Sequence, residues 1–189
     1  MRISAGEYRG RRLKSPRGAQ TRPTSDLLRQ AMFNVVGPRL HGARVLDLYA
    51  GTGAIGLEAL SRGAGHATFV ERERAALASL HDNVRALDVA ARTSVVAADV
   101  PVALRRLAAA GQRFDCVFLD PPYGQDAAGA CVERLAPGDV LGDNAVLVVQ
   151  AFHKEALPAE AGVLRQSWRR RYGESSLTLY EVQVPGSRF

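Results

Sequence analysis

Val45-Leu46-Asp47-Leu48-Tyr49-Ala50-Gly51-Thr52-Gly53-Ala54-Ile55-Gly56 runs from a short apolar strand through a glycine-rich turn into a helix. Glycines at 51, 53 and 56 have the G-x-G-x-x-G spacing of a nucleotide-binding turn, and Glu71 follows Gly51 by 20 residues at the end of the next apolar run. Such a turn belongs at the carboxyl end of the first strand of an open α/β sheet, where backbone N–H groups and a helix N-terminus face a ligand. Spacing alone admits NAD, because an acid at 71 would hold ribose hydroxyls in either case.

Two further carboxylates favour S-adenosylmethionine. Asp47, two residues inside the strand end, can reach the ammonium of a methionine moiety. Asp99, at the end of the third strand, is placed to accept the amino group of adenine. Taken singly, the glycines are an ordinary tight turn and the acids are solvated strand ends; their joint spacing is the stronger signal.

Outward from this turn the pattern alternates. Strands are expected at Ala43–Tyr49, His66–Val70, Thr93–Ala98, Phe114–Leu119 and Ala145–Gln150, with helices at Ala54–Arg62, Arg74–Leu87, Val102–Ala110 and Ala128–Leu135 between them. Alternation at this spacing predicts an α/β fold, a mostly parallel twisted sheet with helices on both faces. The β-rich runs Gly162–Tyr172 and Ser175–Val184, separated by Gly173-Glu174, predict a C-terminal antiparallel hairpin. Before the sheet, Thr24 or Ser25 can cap a helix through Asp26–Val36, stopped by Gly37-Pro38. Residues 1–24 are rich in Gly, Pro and Arg and read as a basic arm or small hairpin preceding a domain of 25–189.

Asp120-Pro121-Pro122-Tyr123 closes the apolar run that begins at Phe114. The prolines fix φ and remove N–H donors, leaving the carbonyls of Asp120 and Pro121 to accept hydrogens. One carboxylate, one rigid carbonyl and one aromatic ring at a strand end suit a planar exocyclic amine on a nucleobase.

A chain of 189 residues with 47% hydrophobic content can bury one sizeable core. The N-terminus lacks the apolar core of a secretion signal and no apolar run reaches membrane-spanning length, so a cytoplasmic location is expected. Cys116 and Cys131 form no metal-ligand or redox pattern and read as buried free thiols. The net charge of +6 is uneven: residues 1–44 hold ten basic side chains, nine of them arginine, against Glu7 and Asp26. That segment is +8 and the remainder −2, the electrostatic footprint of phosphate contact.

Asp47-x-x-x-Gly51-x-Gly53, Glu71, Asp99 and Asp120-Pro121-Pro122-Tyr123 resemble class I methyltransferases acting on amino groups. Tyr8-Arg9-Gly10-Arg11-Arg12-Leu13, Thr21-Arg22-Pro23-Thr24, the helix through Leu28-Arg29 and Phe33-Asn34, and Leu57-Glu58-Ala59-Leu60-Ser61-Arg62-Gly63-Ala64 narrow the resemblance to the RsmD family, over nearly the whole chain. The resemblance implies a Rossmann-like class I fold and methyl transfer from S-adenosylmethionine to N2 of guanine 966 in bacterial 16S ribosomal RNA. It further implies a monomer acting on the small ribosomal subunit or its assembly intermediate. Asp120, Pro121, Pro122 and Tyr123 would form the catalytic motif. Asp47, Tyr49, Gly51, Gly53, Glu71, Arg72, Asp99 and Val100 would hold the cofactor, and Arg9, Arg11, Arg12 and Arg22 the RNA. Gln150 stands where many relatives carry an acid. The rival readings are adenine-N6 or glutamine-N5 methylation, NAD-dependent oxidoreduction, and a non-enzymatic RNA-binding module.

Overall fold

The described residues of the computed structural model, 1–16, 26–122 and 127–183, place eight strands in one sheet. Helix α1 (Asp26–Val36) precedes β1 (Arg44–Leu48), α2 (Ala54–Ser61), β2 (His66–Glu71), α3 (Arg74–Ala86), β3 (Thr93–Ala97), α4 (Val100–Ala109), β4 (Phe114–Leu119) and α5 (Ala127–Leu135). Strands β5 (Leu141–Phe152), β6 (Glu160–Ala161), β7 (Leu164–Tyr172) and β8 (Ser175–Val182) complete the chain. The spatial order is β3-β2-β1-β4-β5-β8-β7-β6; β1 to β5 pair in parallel, and β8 runs antiparallel between β5 and β7. The order reverses between β1 and β4, which is where an open α/β sheet opens a crevice for ligands.

Strand pleating explains why both faces are covered. In β1, Val45 packs with Phe69, Phe118 and Val148 under α1, α2 and α3, while Leu46 and Leu48 pack with Val117, Leu119 and Leu147 under α4 and α5.

The alternating elements lie where the sequence places them, with four differences. Helix α4 starts at Val100 rather than Val102, because Pro101 suits a first helical turn with its fixed φ and missing N–H. Strand β5 runs over 12 residues, past both expected ends. Phe114 pairs with Leu141 before a register shift, and Ser175 and Ser176 of β8 extend its far end. A two-residue strand, β6, has no counterpart in the expected pattern. Gly37-Pro38 does not stop the first helix outright; a 3-10 turn continues to Leu40.

The N-terminal residues form a hairpin with an Arg2–Arg12 bridge, and Ile3 and Leu13 are buried in the core beneath α1, α2 and α3. The hairpin lies on α2. Ser4 N–H and O–H and Ala5 N–H donate to the fully buried Glu58 carboxylate at 2.8, 2.6 and 3.1 Å. Arg62 Nε donates to the same group at 2.8 Å, and Arg29 Nε lies 3.7 Å away. Gly6 sits at φ +82, and a Cβ there would meet the Ser61 carbonyl oxygen at 1.7 Å, so only glycine permits this approach. Arg29, one of the ten basic residues of the N-terminal segment, is 1% exposed and so adds nothing to its surface charge. It lies one turn before Met32 and Phe33 on the buried face of α1 and donates to the carbonyl of Arg2 at 2.6 Å.

Candidate active site

The crevice is assembled from the ends of β1, β2, β3 and β4. At the exit of β1 the chain turns sharply. Tyr49 holds φ 61, the left-handed region that a tyrosine occupies only when its surroundings impose it. Gly53 follows at φ +80 as N-cap of α2, and a Cβ there would strike Leu80 at 2.3 Å. Both a backbone conformation and a close helix contact therefore require glycine at 53.

Glu71 organises the turn from the neighbouring strand. Its Oε2 accepts the Gly51 N–H at 2.7 Å, and its Oε1 accepts those of Arg72 and Glu73 at 2.7 and 2.8 Å. Asp47 is buried below it. One carboxylate oxygen accepts the Gly56 N–H at 2.9 Å, and the other has no hydrogen-bond partner among the described residues. Burial above all, opposed by the Gly56 N–H and reinforced by the charges of Asp120 and Glu71, pushes Asp47 up to about 7. An orphaned carboxylate oxygen in a locally negative crevice is suited to receive a cationic group.

Asp99 stands at the end of β3 on the N-cap of α4, exposed, with Oδ1 accepting from Arg72 Nη1 at 2.9 Å. Val100 is buried behind it. Tyr49 is half-buried, its phenol pushed up chiefly by burial. Asp120 is half-buried at the end of β4, Pro121 buried and Pro122 exposed. The Leu48–Leu119 pairing sets Tyr49 and Asp120 side by side on neighbouring strands. Tyr123 lies outside the described residues, as does Arg22.

On the hairpin, Arg9 and Arg12 are exposed, whereas Arg11 donates from Nη2 to the Ala86 carbonyl at 2.5 Å at the end of α3. One residue near the site has no place in the sequence reading. Asn83, 1% exposed, accepts the Lys14 N–H at 2.7 Å and donates from Nδ2 to the carbonyls of Lys14 and Thr52 at 3.1 and 3.0 Å. It ties the hairpin's exit to the glycine-rich turn. Its signal in the sequence is an amide on the apolar face formed by Leu80, Val84 and Leu87. Both cysteines are buried, which pushes each thiol up to about 12. Among the described residues no helix is long and apolar enough to cross a membrane.

A family model described as Conserved hypothetical protein 95 matches residues 1–181. Ribosomal RNA small subunit methyltransferase D of Escherichia coli K12 is 33% identical over 186 residues, covering 98% of this chain and 92% of that protein. The chain belongs to the RsmD family. Its relative of the same description in Haemophilus influenzae is 33% identical over 150 residues, 79% of this chain and 78% of that one. A solved structure of a hypothetical protein from Thermus thermophilus superposes with a TM-score of 0.83 at 36% identity, covering 97% of this chain and 99% of its own. The fold is that of class I methyltransferases, with an antiparallel strand inserted beside β5. The RsmD-family match spans hairpin, turn, β4 and C-terminal strands together, so the likeness extends well beyond a shared nucleotide-binding half.

Proposed function

We propose that this chain transfers a methyl group from S-adenosylmethionine to the exocyclic N2 of guanine 966 in 16S ribosomal RNA. It would act as a cytoplasmic monomer on the assembling small subunit. The observation that carries the reading is that Asp120 and Pro121 directly follow β4, which pairs with β1 up to Leu48 and Leu119, beside the turn organised by Asp47 and Glu71. An amine-accepting motif thereby adjoins a nucleotide-binding crevice. The E. coli and H. influenzae relatives supply the substrate class through their descriptions.

The residues present fit the cofactor. Asp47 offers a buried, unpartnered carboxylate oxygen to its ammonium, Glu71 a carboxylate to its ribose, and Asp99 an acceptor to its adenine amine. Tyr49, Gly51, Gly53, Arg72 and Val100 complete that set. When bound, the cofactor supplies an electrophilic methyl group on a sulfonium.

Guanine N2 is a weak nucleophile because its lone pair is delocalised into the ring. Asp120 and the Pro121 carbonyl accept its two N–H groups, turn the lone pair toward the methyl group and stabilise the positive charge that develops on nitrogen. Asp120 need not be a strong base, since the amine proton becomes acidic once the N–C bond forms. Tyr123 stacks on the base, which must leave its own stack to arrive there. Arg9, Arg11, Arg12 and Arg22 position the phosphodiester backbone.

Labelled methyl transfer to small subunits from cells lacking the enzyme, followed by mapping of the modified base, tests the reading. Label on N2 of guanine 966 is expected. Label on adenine or on protein overturns it, and binding of RNA without transfer would favour a non-enzymatic module.

A further inference from the structure

A second surface has the composition of a nucleic-acid contact. Between α1 and β7 lies a groove of about 360 Å³ whose lining includes Leu27, Gln30, Asn34, Trp168, Arg170 and Tyr172. Pleating sends Trp168, Arg170 and Tyr172 to the same face of β7, toward α1. Both rings are half-buried against the core, and the Arg170 guanidinium lies 5.7 Å from the Tyr172 ring centroid. Among the described residues no carboxylate lines the groove. Leu27, at its rim, is 67% exposed.

The groove leads to the catalytic end of the sheet. Tyr172 pairs with Ser175, and Ser175 with Phe152 at the carboxyl end of β5. Three interstrand steps separate β7 from β4, so Tyr172 lies roughly 15 Å from the strand that ends at Asp120.

An arginine-rich outer strand has a plainer use. Strand β6 covers β7 only at Leu164 and Arg165, and positive charge on an open edge discourages pairing with another chain. Arg169 is engaged otherwise, donating to the Glu155 carbonyl at 2.9 Å, and Arg171 to that of Gly173 at 2.7 Å. Edge protection accounts for the charge. It leaves unexplained two aromatic rings and a guanidinium lining an open groove without an acid.

We propose that this groove holds single-stranded RNA flanking the target base, with bases stacking on Trp168 and Tyr172 and Arg170 meeting a phosphate. The inference rests on the RNA-methylating reading above and adds a second contact to the hairpin. Aromatic faces accept any base, and a cation beside them supplies affinity without reading sequence.

Trp168 is the chain's single tryptophan, so its emission reports on the groove directly. Titration with a single-stranded RNA of roughly ten nucleotides should quench it saturably. Arg170→Glu, on an exposed edge position, should weaken the apparent affinity about tenfold and lower the salt slope by about one, with S-adenosylmethionine affinity by calorimetry unchanged. Unaltered emission at RNA concentrations that saturate binding by anisotropy overturns the groove while leaving the methyltransferase reading intact. Quenching by proteins extracted from small subunits, with RNA having no effect, overturns it in favour of a protein partner. Failure to bind RNA at all, together with failure to methylate small subunits, overturns both.

Discussion

Gly51 donates its N–H to Oε2 of Glu71 at 2.7 Å, so an acid at the tip of β2 shapes the turn at the tip of β1 before any ligand arrives. Glu71→Ala removes the acceptor of three backbone N–H groups. A lost hydrogen bond to a charged group costs about 1.5–3 kcal/mol, so cofactor affinity by calorimetry should fall roughly 10- to 150-fold. Glu71→Gln, which keeps one acceptor oxygen, should lose less.

Asp47 makes the unliganded protein sensitive to pH. Its folded pKa is raised from 3.8 to about 7, so the folded state retains a proton that the unfolded chain releases. The stability contributed by that proton is fully present below the unfolded value and is lost as pH rises through the window to about 7. Asp47→Asn should therefore gain in Tm relative to the parent as pH rises across that window, and lose cofactor binding. An advantage that shrinks with rising pH would contradict the assignment.

Asp120→Ala should reduce kcat by about 10²–10³, the cost of removing one well-placed electrostatic partner. Cofactor affinity should be nearly unchanged, because the residues proposed to hold the cofactor follow from β1, β2 and β3 rather than β4. Single-turnover methyl transfer with calorimetry on the same preparation measures both. Loss of cofactor affinity instead would place Asp120 in the wrong role.

Glu58→Ala strips a buried carboxylate from Arg29, which is 1% exposed. Breaking a buried ionic pair on one side costs about 3–5 kcal/mol, readable as a shift in urea midpoint. Hydrogen exchange should also show loss of protection at Ser4 and Ala5, whose N–H groups bond to Glu58.

Arg9→Glu and Arg12→Glu, both at exposed hairpin positions, should each lower the slope of log Kd for RNA against log salt by about one. Arg11→Ala should also destabilise the contact with the Ala86 carbonyl. A salt-independent affinity would remove phosphates from the interface.

The strand–helix register and the acids of the candidate site are legible because each carries a local signal. Asp47 interrupts an apolar strand, Glu71 and Asp99 close two others, and Gly53 is required where turn and helix meet. Arg29 and Glu58 carry no comparable signal, and Asn83 only that of an amide on an apolar helix face. Beside the near partners Asp26 of Arg29 and Arg62 of Glu58, each is held by a group 27 to 69 residues away, Arg2 for Arg29, Ser4 for Glu58 and Lys14 for Asn83, which no local window contains. In sequence, Arg29 is therefore indistinguishable from surface charge. The length of β5 is hidden for a related reason: Gly142, Asp143 and Asn144 are poor strand formers, and they lie in the irregularity between the Phe114–Leu141 and Cys116–Val146 pairs.

The hairpin's acceptors have a consequence for synthesis. Residues 3 to 14 emerge before their partners Glu58, Ser61 and Asn83, which follow some 50 to 70 residues later. The hairpin segment must wait, its arginines exposed to surrounding RNA, until α2 and α3 have been translated. Birth order and docking order are thus reversed at this end of the chain.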